Sequence, residues 1–278
     1  MSHRRAILGR KREVLPAARP LRQRTFLSAI QGENMRLFLL LAILLCAAPA
    51  FGSPPLRVAV DAPYPPFAYT DESTGKLTGF DVDMAEALCR QIKRQCVIRA
   101  VPFDEIIPEI VAGNIDLGVA GMVRTPEREK SVIFTEKYFR TSTVFLGLSG
   151  KNQDGDIRGK NIAVQSSTNL EDYLKKTYAR TNRIVSMKNV EEVFVAIKAG
   201  TVDLGFVDGL PAFSYLRTEA GSGLEVVGDP VSLDDGSCVV LHPSLKDLRD
   251  SLNKAILSLR ASGEFQAINR KYFPVSVY

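Results

Sequence analysis

Ala112-Gly113-Asn114-Ile115-Asp116-Leu117-Gly118-Val119 recurs 87 residues later as Ala199-Gly200-Thr201-Val202-Asp203-Leu204-Gly205-Phe206. Each copy closes an amphipathic helical stretch and enters a short apolar strand. The strand then runs into a tip of small or polar residues, Ala120-Gly121-Met122 in the first copy and Val207-Asp208-Gly209 in the second. A helix stop before a strand is common punctuation. Two matched helix–strand units this far apart nevertheless predict two similar α/β lobes. Ligands of open α/β sheets sit beyond the carboxyl ends of the strands, so the two tips are expected to face each other across a cleft.

The flanking sequence extends each unit. Around the first copy, Leu56–Val60 alternates and is β-branched, as a strand requires. The loop Asp61-Ala62-Pro63-Tyr64-Pro65-Pro66-Phe67 carries three prolines, which forbid helix and stiffen the chain around Tyr64. Asp81-Val82-Asp83 signals the start of a helix over about 82–94. A strand at 97–101, a helix at 103–112 and a strand at 116–119 complete a βαβαβ pattern, which favours a parallel sheet. Around the second copy, strands are expected at 160–164, 183–186 and 204–207, and helices at 169–176, 190–198 and 211–218. A strand at 237–242 and helices at 245–260 and 264–272 close the chain. The chain is expected to cross between lobes near 140–143 and to return near 231–236. That gives one lobe of residues 53–141 plus 237–278 and a second of 142–236. Two extended crossings make a hinge, which suits closure around a ligand.

The 278 residues are 45% hydrophobic and 24% charged, an ordinary globular composition long enough for two cores. Residues 1–52 differ from the rest. Met35-Arg36, the apolar run 37–45 and Cys46-Ala47-Ala48-Pro49-Ala50-Phe51-Gly52 read as a secretory signal over 35–52, with Ala48-Pro49-Ala50 as its cleavage signature. The run is short of the roughly 20 residues of a spanning helix. Residues 1–34 read as an upstream extension, and export to the periplasm is expected. Nine of the 36 Lys and Arg but only two of the 31 Asp and Glu lie in 1–52, which leaves 27 basic against 29 acidic residues, a net charge of −2. The overall charge of +5 is therefore a property of the leader and gives no ground for nucleic-acid binding. Cys89 and Cys96 can form a disulfide in an exported protein, closing a helix end onto the next strand. A metal is the alternative, although no His lies near them. Cys238, in an apolar segment, is expected to be a buried free thiol.

Several residues near the expected strand tips carry chemistry. Arg128 follows Thr125-Pro126, a signature for a short capped helix, and an Arg there can hold a carboxylate with two parallel hydrogen bonds. Gln165-Ser166-Ser167-Thr168 precedes a helix, where backbone N–H groups and hydroxyls bind anions or simply cap the helix. The loop lacks a glycine-lysine phosphate signature, so no nucleotide or other cofactor is expected. Asp208 ends the second copy and can either pair with an ammonium or cap the following helix. Tyr64 and Phe103 can sandwich an aliphatic stem or stack on a guanidinium, and Phe103 can equally pack in the core. Asp61 can accept from the far end of a ligand. Together these describe a site for an α-amino acid with a polar or cationic side chain.

Here the chain resembles the polar amino-acid-binding proteins of bacterial ATP-driven importers, most of all the lysine/arginine/ornithine and histidine binders. The resemblance covers about residues 56–278. Tyr64-Pro65-Pro66-Phe67, Gly79-Phe80-Asp81-Val82-Asp83, Cys89 with Cys96, Ile107-Pro108, Thr125-Pro126-Glu127-Arg128 and Lys271-Tyr272-Phe273 carry it. It implies a two-lobe periplasmic binding fold of the second topological type, each lobe a mainly parallel sheet flanked by helices. It implies that Arg128 and Thr168 bind the ligand α-carboxylate, helped by the backbone of Met122, Val123, Ser167 and Thr168. Asp208 and the Gly121 carbonyl would take the α-amino group, Tyr64 and Phe103 would flank the side chain, and Asp61 would meet its end. The implied partners are a small amino acid and a membrane permease, with the binder a monomer that catalyses nothing. Ala120, Gly121 and Val123 stand where cationic binders often have serines. Arg124 replaces a usually apolar residue and would oppose a cation if it faced the cleft. Glutamine or an opine is the alternative ligand. A cyclohexadienyl-dehydratase-like enzyme is the alternative activity, although neither His3 nor His242 sits in a site phrase. A receptor's sensing domain is a third option.

Overall fold

A computed structural model describes residues 53–152, 155–233 and 236–278. The expected extension, leader and cleavage site lie outside the described residues. In chain order the elements are β1 (Leu56–Val60), β2 (Tyr69–Thr70), β3 (Leu77–Thr78), α1 (Phe80–Gln91), β4 (Cys96–Ala100), α2 (Phe103–Val111) and β5 (Leu117–Gly118). A 3-10 turn (Arg128–Lys130) leads to β6 (Ile133–Phe139), β7 (Thr143–Leu148), β8 (Asn161–Gln165), α3 (Asn169–Thr177), β9 (Arg183–Met187) and α4 (Val190–Lys198). The remainder are β10 (Leu204–Asp208), α5 (Gly209–Leu216), β11 (Leu224–Val231), β12 (Ser237–Leu241), α6 (Lys246–Ala261) and α7 (Glu264–Tyr272). Among the described residues, no helix is long and apolar enough to cross a membrane.

Two five-stranded sheets result, in the orders β4-β1-β5-β12-β6 and β9-β8-β10-β7-β11. Three strands of each are mutually parallel. Each then takes an antiparallel strand, β12 or β7, and one more strand antiparallel to that. The antiparallel strand is in each case exchanged. β7 is laid down as the chain leaves the first sheet, and β12 as it returns. The crossings fall between β6 and β7 and between β11 and β12. This is the two-lobe architecture the resemblance implies, with four of five strands per sheet pointing one way.

The sequence repeat is a structural repeat, residue by residue. Gly113 and Gly200 stop their helices in a left-handed conformation, φ +74° and +68°, and in both the next N–H reaches five residues back, Asn114 to the Glu109 carbonyl and Thr201 to the Ala196 carbonyl. Asp116 accepts from the Arg57 N–H at 2.7 Å, and Asp203 from the Asn161 N–H at 2.7 Å, so each acid clips β5 or β10 to its parallel neighbour. Gly118 pairs with Ala59, and Gly205 with Ala163. A Cβ on Gly118 would sit 2.8 Å from Ile106, and one on Gly205 would sit 2.6 Å from Val193. These two glycines let a helix lie against the strand.

Strand alternation then builds a core on each face of both sheets. Val58 and Val60 pack with Phe80, Leu88, Ile256 and Phe265 under α1, α6 and α7, while Ala59 faces Ile106 and Ile110 of α2. Ile162 and Val164 meet Leu170 and Leu174 of α3, while Ala163 faces Val193 and Ile197 of α4. Cys89 and Cys96 form a disulfide that ties the end of α1 to the start of β4, and Cys238 is a buried cysteine outside that disulfide. The first helix differs from expectation. It runs over Phe80–Gln91 rather than 82–94, so Asp81 is inside its first turn, where it is buried. The turn after Pro126 is one short 3-10 segment, with Thr125 Oγ1 accepting from the Arg128 N–H as a cap.

Candidate functional site

The carboxyl ends of β1, β5, β8 and β10 converge on an enclosed cavity lined by Asp61, Tyr64, Phe103, Gly121, Gln165, Thr168 and Asp208, among others. Its volume is about 30 Å³, room enough to hold water. Asp61 follows β1, Tyr64 sits on the proline loop, and Phe103 opens α2. Gly121 lies just beyond β5, Thr168 caps α3, and Asp208 ends β10.

Cross-cleft hydrogen bonds join the two sides. Tyr64 donates its hydroxyl to Asp208 Oδ2 at 2.6 Å. Gln165 Nε2 donates to Asp61 Oδ2 at 3.0 Å. Arg128 sends Nη1 to the Val123 carbonyl at 2.7 Å and Nη2 to the Ser167 carbonyl at 2.9 Å. The same guanidinium lies 5.5 Å from the centroid of the Phe103 ring, within cation–π range. Arg128 therefore stands beside the cavity, above one of its walls. Ser167 holds a left-handed backbone, φ +62°, and its N–H donates to Glu171, which itself donates its N–H to Thr168 Oγ1.

The structure decides between several readings of these residues. Asp208 is the N-cap position of α5 but makes no side-chain capping bond, and its carboxylate turns to Tyr64. Thr168 both caps α3 and lines the cavity. Phe103 both packs in the core and lines the cavity. Arg124 turns away, donating to the Thr135 carbonyl at 2.9 Å and lying 3.6 Å from Glu129. Met122, Val123, Arg128 and Ser167 do not line the cavity. Met122 and Val123 spend their carbonyls on Cys238 and Arg128. Gln165 and Phe139 line it and were not expected. The phrase Gln165-Ser166-Ser167-Thr168 pointed to the right loop, but nothing marked its first residue. Phe139 sits at the end of β6 and reads in sequence as one more core aromatic.

Electrostatics set the site apart. Burial pushes the Asp61 carboxyl up to about 7, against the opposing pull of the Gln165 amide and the Phe103 N–H and with help from Asp104. Burial also raises Asp81 well above the usual range, despite the bond from Tyr138. The Tyr64 hydroxyl is raised by burial first, then by Asp208, with Asp61 and Asp81 adding to it. Three carboxyl groups thus bear on one phenol. Such a site favours an incoming cation or retains protons. No cluster of three or more metal-ligating residues occurs among the described residues.

Two lobes with acids on both walls of the cleft, aromatics between them and an arginine at one side define a protein that binds a small ligand. The chain belongs to the bacterial extracellular solute-binding proteins, family 3, whose pattern matches residues 56–275. It is 32% identical to ABC transporter arginine-binding protein 1 of Escherichia coli (strain K12) over 225 residues, 79% of this chain and 90% of the relative. It is 29% identical to the histidine-binding periplasmic protein of Salmonella typhimurium, over 84% of this chain and 93% of the relative. An ancestral arginine-binding protein, solved with glutamine bound, superposes with a TM-score of 0.73 at 31% identity, over 79% of this chain and 98% of the other.

Proposed function

We propose that the protein captures a cationic L-amino acid (arginine, lysine, ornithine or histidine) between its lobes in the periplasm and delivers it to the membrane permease of an ATP-driven importer, as a monomer and without turnover. The observation that carries this reading is the pair of carboxyl groups, Asp61 from one lobe and Asp208 from the other, on the wall of one cavity with Tyr64 and Phe103. Asp208 takes the α-ammonium, Arg128 and the start of α3 take the α-carboxylate, and Asp61 meets the side-chain cation. The cavity is too small for an amino acid, so the lobes part to admit it and close as the cross-cleft bonds are exchanged for bonds to ligand. The names of the relatives support both the ligand class and the compartment.

The test is thermal unfolding of the purified protein against the twenty amino acids and ornithine, after denaturation and refolding to strip bound ligand. A ligand at 100 times its dissociation constant stabilises by about 2.7 kcal/mol. A shift confined to the cationic amino acids is the expected outcome. A shift with glutamine alone would keep the binding reading and overturn the charge preference. A second reading has one observation in its favour. A buried Asp61 titrating near 7 meets the first requirement of a general acid. Release of phenylpyruvate from prephenate would establish a dehydratase-like activity, and its absence alongside amino-acid binding would dispose of it.

A further inference from the structure

Behind the first lobe's wall of the cleft lies a buried polar pair that the proposed ligand contacts leave out. Tyr138 is 0% exposed and Asp81 2%. The Tyr138 hydroxyl donates to Asp81 Oδ1 at 2.7 Å and accepts from the Gly121 N–H at 3.0 Å. A phenol has one proton. With that proton committed to Asp81, the lone pairs of the oxygen face Gly121, so the carboxyl sets the direction of the second bond. From the other side, Ser237 Oγ donates to the Gly121 carbonyl at 2.9 Å, and the Cys238 N–H donates to the carbonyl of Met122 at 2.9 Å. Gly121 itself is left-handed, φ +60°, and follows a strand of only two residues. Its own strand therefore does little to fix the orientation of its peptide groups. α1, β6 and β12 do so instead, through Asp81, Tyr138 and Ser237.

We propose that Asp81 and Tyr138 are positioning residues for ligand binding, aiming the Gly121 carbonyl from behind the cleft wall at the α-ammonium group of the bound amino acid. The proposal rests on the reading of the cleft as an amino-acid site in which Gly121 and Asp208 share the ammonium. A carbonyl has two acceptor lone pairs. Ser237 occupies one and leaves the other for the ligand. Asp81 acts here as an acceptor through Oδ1, a role an asparagine oxygen can fill.

The experiment compares L-arginine with 5-guanidinopentanoate, the same molecule without its α-amino group, by titration calorimetry on the whole purified protein. Tyr138→Phe is expected to weaken arginine by about 10-fold, the worth of one lost hydrogen bond, and to leave the des-amino analogue within about threefold. Asp81→Ala should reproduce that selective loss, and Asp81→Asn should restore arginine binding to within about threefold of the wild type. Ser237→Ala is a smaller change that removes the direct bond to the carbonyl and leaves the Tyr138 bond to the Gly121 N–H, and it should show the same selectivity if Tyr138→Phe fails to fold. Equal losses for both ligands would mean that the pair merely supports the fold, and no loss would mean that it does not act on the site; either overturns the proposal. Wild-type protein that binds no arginine overturns the reading of the cleft, and the positioning role falls with it. Wild-type protein that binds arginine while Tyr138→Phe keeps its full preference for the α-amino group overturns the positioning role alone.

Discussion

The two copies of the repeat agree through their strands and part company at the tips. Up to Gly118 and Gly205 they share a helix stop, an acid that clips the neighbouring strand and a glycine under a helix. Past that point one copy gives Ala120-Gly121, which presents backbone, and the other gives Val207-Asp208, which presents a carboxylate. The shared residues build the lobe, and the unlike residues line the cavity. The sharpest way to break this comparison is at Asp208. Asp208→Ala leaves an ammonium buried against an uncompensated wall, a loss of about 3–5 kcal/mol or roughly two to three and a half orders of magnitude in Kd. Calorimetric titration with arginine measures it. Affinity kept within tenfold would mean that the divergent tip is not where the ammonium sits.

The two acids of the cleft also differ. Asp208 holds a hydrogen bond from Tyr64, whereas Asp61 is buried and held up near 7. Asp61 faces Gln165 from β8, the Phe103 N–H and Asp104 from α2, and its charge is felt by Asp81 and Tyr64. The sign follows from linkage. The folded protein binds the Asp61 proton more tightly than the unfolded chain does. This contribution is fully present below about pH 4, is lost as pH rises from 4 to 7, and is flat above. A cationic side chain requires the ionised form, so binding releases a proton. Arginine affinity should then fall about tenfold for each pH unit below 7. Glutamine affinity should fall much less, and Asp61→Asn should flatten the arginine profile. Titrations between pH 5 and 8 decide it, and an arginine profile flat in the wild type would remove Asp61 from the side-chain subsite.

The sequence carried the repeat, the helices and the parallel strands because each has a local signature of period, stop or cap. α4 and α7 run over the residues their patterns predict. Strands β6, β7 and β11 had no such signature. Thr143-Val144-Phe145-Leu146-Gly147-Leu148 is largely buried, so it lacks alternation, and its partners β10 and β11 come later in the chain. In the site, Asp61, Tyr64 and Asp208 were visible as a set beside the strand ends, since each alone has another use, as Asp208 could cap a helix. Gln165 was not, since its partner Asp61 is 104 residues away. Asp81 was legible as a helix-start signal, but its inward orientation was not. An acid in the first helical turn is what a helix dipole favours, and only the packing of Tyr138 above it shows that this one points inward.

The smallest effect tests the shared half of the comparison. Gly118 and Gly205 occupy the same place in the two lobes, and alanine at either must displace β-branched neighbours. At Gly118 the new Cβ would lie 2.8 Å from Ile106 and 2.9 Å from Val240; at Gly205 it would lie 2.6 Å from both Val193 and Ile197. Overpacking of this kind costs about 1–3 kcal/mol. Gly113 and Gly200 differ from them in kind. A Cβ there meets nothing within 4 Å, and the cost is the left-handed backbone alone, about 1–2 kcal/mol. Urea unfolding of the four alanine variants should therefore give two matched pairs, each pair agreeing between lobes within about 0.5 kcal/mol, while arginine binding by the folded protein stays near wild type. Unequal losses within a pair would show that the two copies look alike in sequence without carrying the same packing, and would confine the equivalence of the lobes to their topology.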